Sequence, residues 1–135
     1  MENKIKHLEF IQLTITRMAS NSFLLKGWTV TLIVGILAFA NTDDMNPKYL
    51  WIAIIPAVFF WFLDGFYLHQ EKLFRELYDD VRNKEEDDID FTMNTMPYSS
   101  EVASWGQVCL SKTLLIFYLP VIAVIGIAMI IFAKI

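Results

Sequence analysis

A single cysteine, Cys109, leaves no partner for an internal disulfide and no CxxC pair for zinc or redox work, so nothing in the chain argues for an oxidising compartment. Histidine is almost as scarce. His7 and His69 are the only two, and His69 is followed by Glu71 without the i, i+4 spacing that sets two metal ligands on one helix face. The five glycines form no phosphate-cradling loop, and neither a nucleophile elbow nor a pair of intramembrane carboxylates is present. The stretch "LDGF", with Asp64 and Gly65, shares an Asp-Gly pair with membrane enzymes that transfer phospho-alcohols but lacks their further aspartates. Basic residues are also in the minority: 11 Lys and Arg stand against 15 Asp and Glu, for a formal charge of −4. That sign is wrong for holding phosphate backbones, and no basic stretch is interleaved with aromatics, so nucleic acid is excluded as a direct partner. These absences predict no enzyme, no cofactor and no metal.

What the chain has in abundance is apolar surface. Hydrophobic residues make up 56% of 135 and the mean hydropathy is +0.44, too apolar for a soluble domain of this size. A hydrocarbon core of about 30 Å needs about 20 helical residues, and three segments qualify: 23–40, 49–68 and Thr113–Ala133 within a final segment 113–135. A polar leader, 1–22, precedes the first span and no small-residue cleavage site follows it, so the N-terminus is expected to be retained. Between the first two spans lies "NTDDMNPK", residues 41–48, a polar turn broken by Asn-Pro. Between the second and third lies a long polar stretch, 69–112. Outside the spans, Lys4, Lys6, Arg17, Lys72, Arg75, Arg82, Lys84 and Lys112 fall on one side and only Lys48 and Lys134 on the other. The positive-inside rule therefore predicts a membrane protein with the N-terminus and residues 69–112 in the cytoplasm and the C-terminus outside.

The spans read as continuing beyond the membrane as helix. Leu8, Ile11, Ile15, Met18 and Ser22 recur at spacings of three and four, and Leu73, Phe74, Leu77, Tyr78 and Val81 form a second stripe after the second span. That helix is expected to stop in "EEDDID", residues 85–90, which reads as a solvated acidic turn or, less well, as a calcium loop without its alternation and central glycine. Met93 and Met96, among polar residues, suggest a pliable contact surface. Ser99 or Ser100 is the expected N-cap of a last helix running through Trp105 into the third span. Arg17, Arg75 and Arg82 either form a cationic pocket for a small anionic signal at a subunit interface or pair along their helices with Glu71, Asp79 and Glu86. The expected fold is thus all-α: three transmembrane helices extended into a cytoplasmic helical bundle.

Inside the membrane the polar inventory is short. Lys26 and Asp64 are the only charges within the spans, have opposite sign, and lie at matching depth about 5–6 Å inside the hydrocarbon edge. Lys26 shares a face with Ser22 and Thr29, and Asn21 extends that polar stripe towards the cytoplasm. Two readings stay open: Lys26 snorkels to the headgroups, or it pairs with Asp64, whose short side chain cannot reach water. Pro56 and Pro120 fall inside the second and third spans, each freeing a carbonyl, of Ile52 and of Ile116, and a kink is expected at both. The run "FFWF", residues 59–62, with Trp28 and Trp105, reads as packing and interfacial anchoring.

The opening "IQLTITRMASNSFLLKGWTVTL", the span-and-helix "FWFLDGFYLHQEKLFRELYDDVR" and the "SKTLLIFY" stretch before the last span together resemble small bacterial three-span membrane proteins, and through them the membrane effectors encoded near anti-phage signalling systems, including the SLATT families. The resemblance covers nearly the whole chain and carries no catalytic residues. It implies an oligomeric effector that perturbs or opens the bilayer when its cytoplasmic helices receive a signal. A non-conducting membrane anchor or regulatory subunit for a cytoplasmic partner protein fits the same residues, and a small transporter using Lys26 or Asp64 fits less well, for want of an inverted repeat or a midplane charge. In each case the lipid bilayer is a partner, and the effector reading requires a homo-oligomer, because three spans enclose too little to conduct.

Overall fold

A computed structural model describes residues 1–40 and 47–133, and among these every regular element is helical. Helix α1, Glu2–Ala40, is one unbroken rod of 39 residues, so the amphipathic leader and the first span are a single element, as expected where neither proline nor a capping residue interrupts the period. A 3₁₀ segment, Pro47–Ala53, leads into α2, Ile54–Arg82. Most of the turn 41–48 lies outside the described residues. Two short 3₁₀ turns, Glu86–Asp88 and Met96–Tyr98, carry the chain back to α3, Trp105–Cys109, and then α4, Lys112–Ala133. Among the described residues, three helices are long and apolar enough to cross a membrane.

Two expected features move. The last helix is not capped at Ser99 or Ser100 and does not run unbroken into the third span. Ser104 is the cap: its hydroxyl accepts from the Gln107 amide while the Gln107 side chain accepts from the Ser104 amide, the reciprocal arrangement of a capping box. The short α3 ends at Cys109, and α4 starts afresh at Lys112. Pro56, expected in mid-helix, instead lies in the first turn of α2. There it stands just after the 3₁₀ segment Pro47–Ala53 passes into α2, so any bend it causes falls at that junction and not in mid-helix. Pro120 does lie inside α4.

The contacts set α1 and α2 antiparallel and α4 parallel to α1, in layers. At the polar end, Ile11 and Ile15 pack on Leu77 and Val81, covered by Leu8, Phe74, Tyr78, Ile89 and Tyr98. These are the two stripes legible as three-and-four spacings, facing each other. At the far end Ile33, Ala53, Ala57 and Ile125 form one apolar layer and Leu50 with Ala128 another. Between lies a layer that is not purely apolar, where Val108, Leu114 and Tyr118 pack against Phe60, Trp61 and Leu68.

Candidate functional site: a polar centre in the apolar bundle

The middle layer is built around Asp64, whose side chain is 0% exposed. A carboxylate in such surroundings needs donors, because no water reaches it to replace them. Three side chains from two other helices supply them. From α1, Lys26 Nζ lies 2.6 Å from Oδ2, and the Ser22 hydroxyl donates to Oδ1. From α4, the Tyr118 hydroxyl donates to Oδ2 at 2.9 Å. Lys26 also donates to Ser22 Oγ at 3.0 Å and its ammonium stands 5.8 Å from the centre of the Phe117 ring. The Lys26 side chain keeps 23% of its surface exposed, so the centre is closed at Asp64 and opens slightly at the lysine. Helical spacing explains the α1 side: Ser22 and Lys26 are four apart, one turn along a face that continues to buried Thr29 and Ile33.

The layer is held to the chain segment before α4 by backbone contacts. Trp61 Nε1 donates to the Cys109 carbonyl at 2.7 Å, and Trp105 Nε1 donates to the Phe62 carbonyl at 3.1 Å. Trp61 stacks on Tyr118 with 5.9 Å between ring centres and 3° between planes. Next to Asp64, Gly65 lets α3 approach: a Cβ there would collide with Cys109 Sγ. Burial, with Asp64 adding to it, pushes the Cys109 thiol above its ordinary range, which keeps it a packed thiol rather than a nucleophile.

The other residues singled out in the sequence fall into different places. Asn21 is half-buried beside the centre. Thr29 turns its hydroxyl onto the Leu25 carbonyl of its own helix at 2.7 Å. The three arginines are not brought together within the chain. Arg75 pairs with Glu71 at 3.1 Å and Arg82 with Asp79 at 3.6 Å, while Arg17 is exposed on α1. Glu86 takes no arginine. It receives the backbone amides of Asn3 and Lys4 at 2.8 and 3.1 Å and the N-terminal ammonium at 2.7 Å, so it caps α1 from a distance.

Sequence reasoning had no place for Tyr118 or for His7. Tyr118 stands in "LLIFYLP", where an aromatic reads as lipid-facing, yet it is fully buried. Its one available signal was depth, five residues past the Thr113 start of the span, as Lys26 is near the start of its own. His7 is also fully buried, with Nε2 2.7 Å from the Thr92 carbonyl and Nδ1 without a partner. No protein-family model matches the chain, and no curated protein or solved structure matches it.

Chemically, the centre is one carboxylate shared by three donors: Asp64 on α2 takes an ammonium and a hydroxyl from α1 and a hydroxyl from α4, which ties the three helices together.

Proposed function

We propose that the chain is an oligomeric effector of the bacterial inner membrane, serving anti-phage defence, that perturbs or permeabilises the bilayer when its polar, cytoplasmic end is engaged. One observation carries the reading. On α1, the side opposite the Ser22–Lys26–Thr29 face presents Gly27, Thr31 and Gly35, all exposed, and nothing lies within 4 Å of where a Cβ would stand at either glycine. Small residues at intervals of four let a second helix approach closely in lipid, where packing rather than the hydrophobic effect drives association. One chain thus satisfies Lys26 and Asp64 internally and keeps a narrow helix face for another copy. A single three-helix unit encloses no conduit, so permeabilisation requires such copies. The defence setting is carried by the resemblance of Ile11–Leu32 and the two later stretches, not by the geometry.

Expression at high level with a potential-sensitive dye, together with copy counting in lipid nanodiscs, tests the reading. Gly27→Ile and Gly35→Ile should lower copy number and depolarisation together. A membrane potential that stays intact at high expression retires the effector. A second reading then takes over, a non-conducting anchor or regulatory subunit, which is favoured by the way Ser22, Lys26 and Asp64 are consumed inside one chain instead of facing a pathway.

A further inference from the structure

Fully buried His7 stands where α1 meets the segment that returns from α2 to α3. Its Nε2 lies 2.7 Å from the Thr92 carbonyl, and a carbonyl only accepts, so the ring carries its one proton on Nε2 and a bare lone pair on Nδ1. Nδ1 is buried without a partner among the described residues. A lone pair left idle costs little beside the N–H of a buried cation, which needs an acceptor. The residue before Thr92 is held against its preference. Phe91 has a φ of 56°, the one positive value of a non-glycine residue among the described residues, and its ring centre lies 5.5 Å from that of His7. Residues with a Cβ rarely adopt that backbone, and such strain persists only where neighbours over-determine it. Here the neighbours are His7 on the Thr92 carbonyl and Asp90, whose Oδ1 takes the Thr92 amide at 3.1 Å. Both backbone polar groups of Thr92 are thus in use.

The charged groups on the elements around His7 are otherwise engaged or turned outward. Asp90, of the return segment, is the acid whose charge His7 shares a field with, and it is committed to the Thr92 amide. The 3₁₀ turn Glu86–Asp88 brings Glu86, already taken by the N-terminal ammonium and the Asn3 and Lys4 amides, while Asp87 and Asp88 are exposed. The end of α2 brings Asp80, which accepts from the Tyr98 hydroxyl and pairs with Lys84 at 3.8 Å. On α1 itself Lys6 and Glu9 are exposed and Lys4 is half-buried. None of them offers an acceptor to Nδ1.

We propose that His7 is a proton-operated latch: the neutral imidazole holds the return segment on α1 at Thr92, and a second proton, on Nδ1, releases residues 90–93. Asp90 serves the new N–H only by turning away from the Thr92 amide. If Asp90 stays, the imidazolium leaves its buried place for water and drops the Thr92 carbonyl. Either course frees Thr92 and lets Phe91 relax. The released state holds the extra proton, so the latch is complete at high pH and lost as pH falls. The carboxylates nearby do not titrate with it: the Thr92 amide holds the Asp90 carboxyl below its ordinary range, and Glu86 is held below 4.5. Both stay charged between about pH 7.5 and 5.5, where histidine side chains ordinarily change charge. The latch lies at the polar end but does not rest on the effector reading.

Hydrogen exchange of the full chain in nanodiscs, read at the Thr92 amide and corrected for intrinsic rates, tests the latch. Protection at Thr92 should fall about tenfold from about pH 7.5 to 5.5, while that at Asn3 and Lys4, set by Glu86, should hold. His7→Gln can still donate to the Thr92 carbonyl but takes up no proton, so its profile should be flat. Nitrogen NMR of the His7 ring, read in His69→Gln to leave one histidine, should show Nδ1 bare at the higher pH and taking its proton in step with the loss at Thr92. A flat profile in the unaltered protein, an equal fall in His7→Gln, protonation of Nδ1 with Thr92 still protected, or a joint loss at Asn3, Lys4 and Thr92 overturns the proposal. Membrane leak is not read, so a protein that never depolarises cells keeps the latch and loses the effector reading alone.

Discussion

Asp64 shows how few atoms orient this bundle. Its two oxygens take a donor pair from α1 and a third from α4, so truncation strands Lys26 and Tyr118 together. Lys26→Ala and Asp64→Ala should each lower the thermal unfolding midpoint in nanodiscs. The double change should cost less than the sum, with a coupling of about 1 kcal/mol; additive costs would mean that the lysine only reaches for the headgroups. Tyr118→Phe, which removes one hydroxyl, should cost about 1 kcal/mol in the same assay. The adjacent Gly65 offers a sharper test, because two effects oppose. Alanine in a helix interior gains about 1 kcal/mol over glycine, but here its Cβ meets Cys109 Sγ, whose backbone is tied down by Trp61. Overpacking of that kind costs about 1–3 kcal/mol. Gly65→Ala should therefore destabilise the protein, and Cys109→Ala in the same chain should restore it; a stabilised single variant would mean that α3 gives way freely.

At the scale of elements, α1 is fastened at its start by a residue more than eighty positions away. The hydrogen bond from the N-terminal ammonium, with those from the Asn3 and Lys4 amides, holds the Glu86 carboxyl below its ordinary 4.5. The native state therefore binds fewer protons than the unfolded one around that pH. The contribution is complete above 4.5 and is lost as pH falls. Hydrogen-exchange protection at Asn3 and Lys4, corrected for intrinsic rates, should drop as pH falls below 4.5, and Glu86→Gln should show the lower protection already at neutral pH; a flat profile would mean that Glu86 does not hold the helix end. The reverse sign applies at Tyr98, whose hydroxyl is pushed up to about 12 by burial and by its bond to Asp80: that contact is complete below pH 10 and lost as pH climbs towards 12.

These elements differ in how much of them the sequence discloses. The facing stripes of α1 and α2 could be read because an amphipathic helix writes its buried face into its spacing, and Lys26 and Asp64 stood out because charges in apolar spans are rare. The cap at Ser104 was hidden among several serines, although Gln107 three places on was the distinguishing sign. The partner role of Tyr118 had only its depth in the span to mark it, since α4 is apolar on nearly every side and its rotation is fixed by what it meets. Glu86 reached α1 through a long return segment whose path no local pattern sets.

For the whole molecule the open quantity is direction. The antiparallel α1 and α2, with α4 parallel to α1, gather the start of α1, the end of α2 and the segment before α4 at one end, so one orientation assigns every loop at once. By their order in the sequence, eight of the ten lysines and arginines outside the spans belong to the segments gathered at that end, and two, Lys48 and Lys134, do not. Carboxylates hardly count in this balance, so the acidic segment 85–101 does not cancel it. Lys26 adds nothing either way, being inside a span and neutralised by Asp64. The asymmetry therefore predicts that reporters fused after Lys48 and at Ile135 read as external and one after Arg82 as cytoplasmic. Because the loops move together, replacing Lys4, Lys6 and Arg17 by glutamine should increase the inverted fraction at all three fusion points equally. A cytoplasmic reading at Ile135 with an external one at Lys48 would leave only two helices crossing, and α4, the carrier of Tyr118, would then have to close the polar centre from one leaflet.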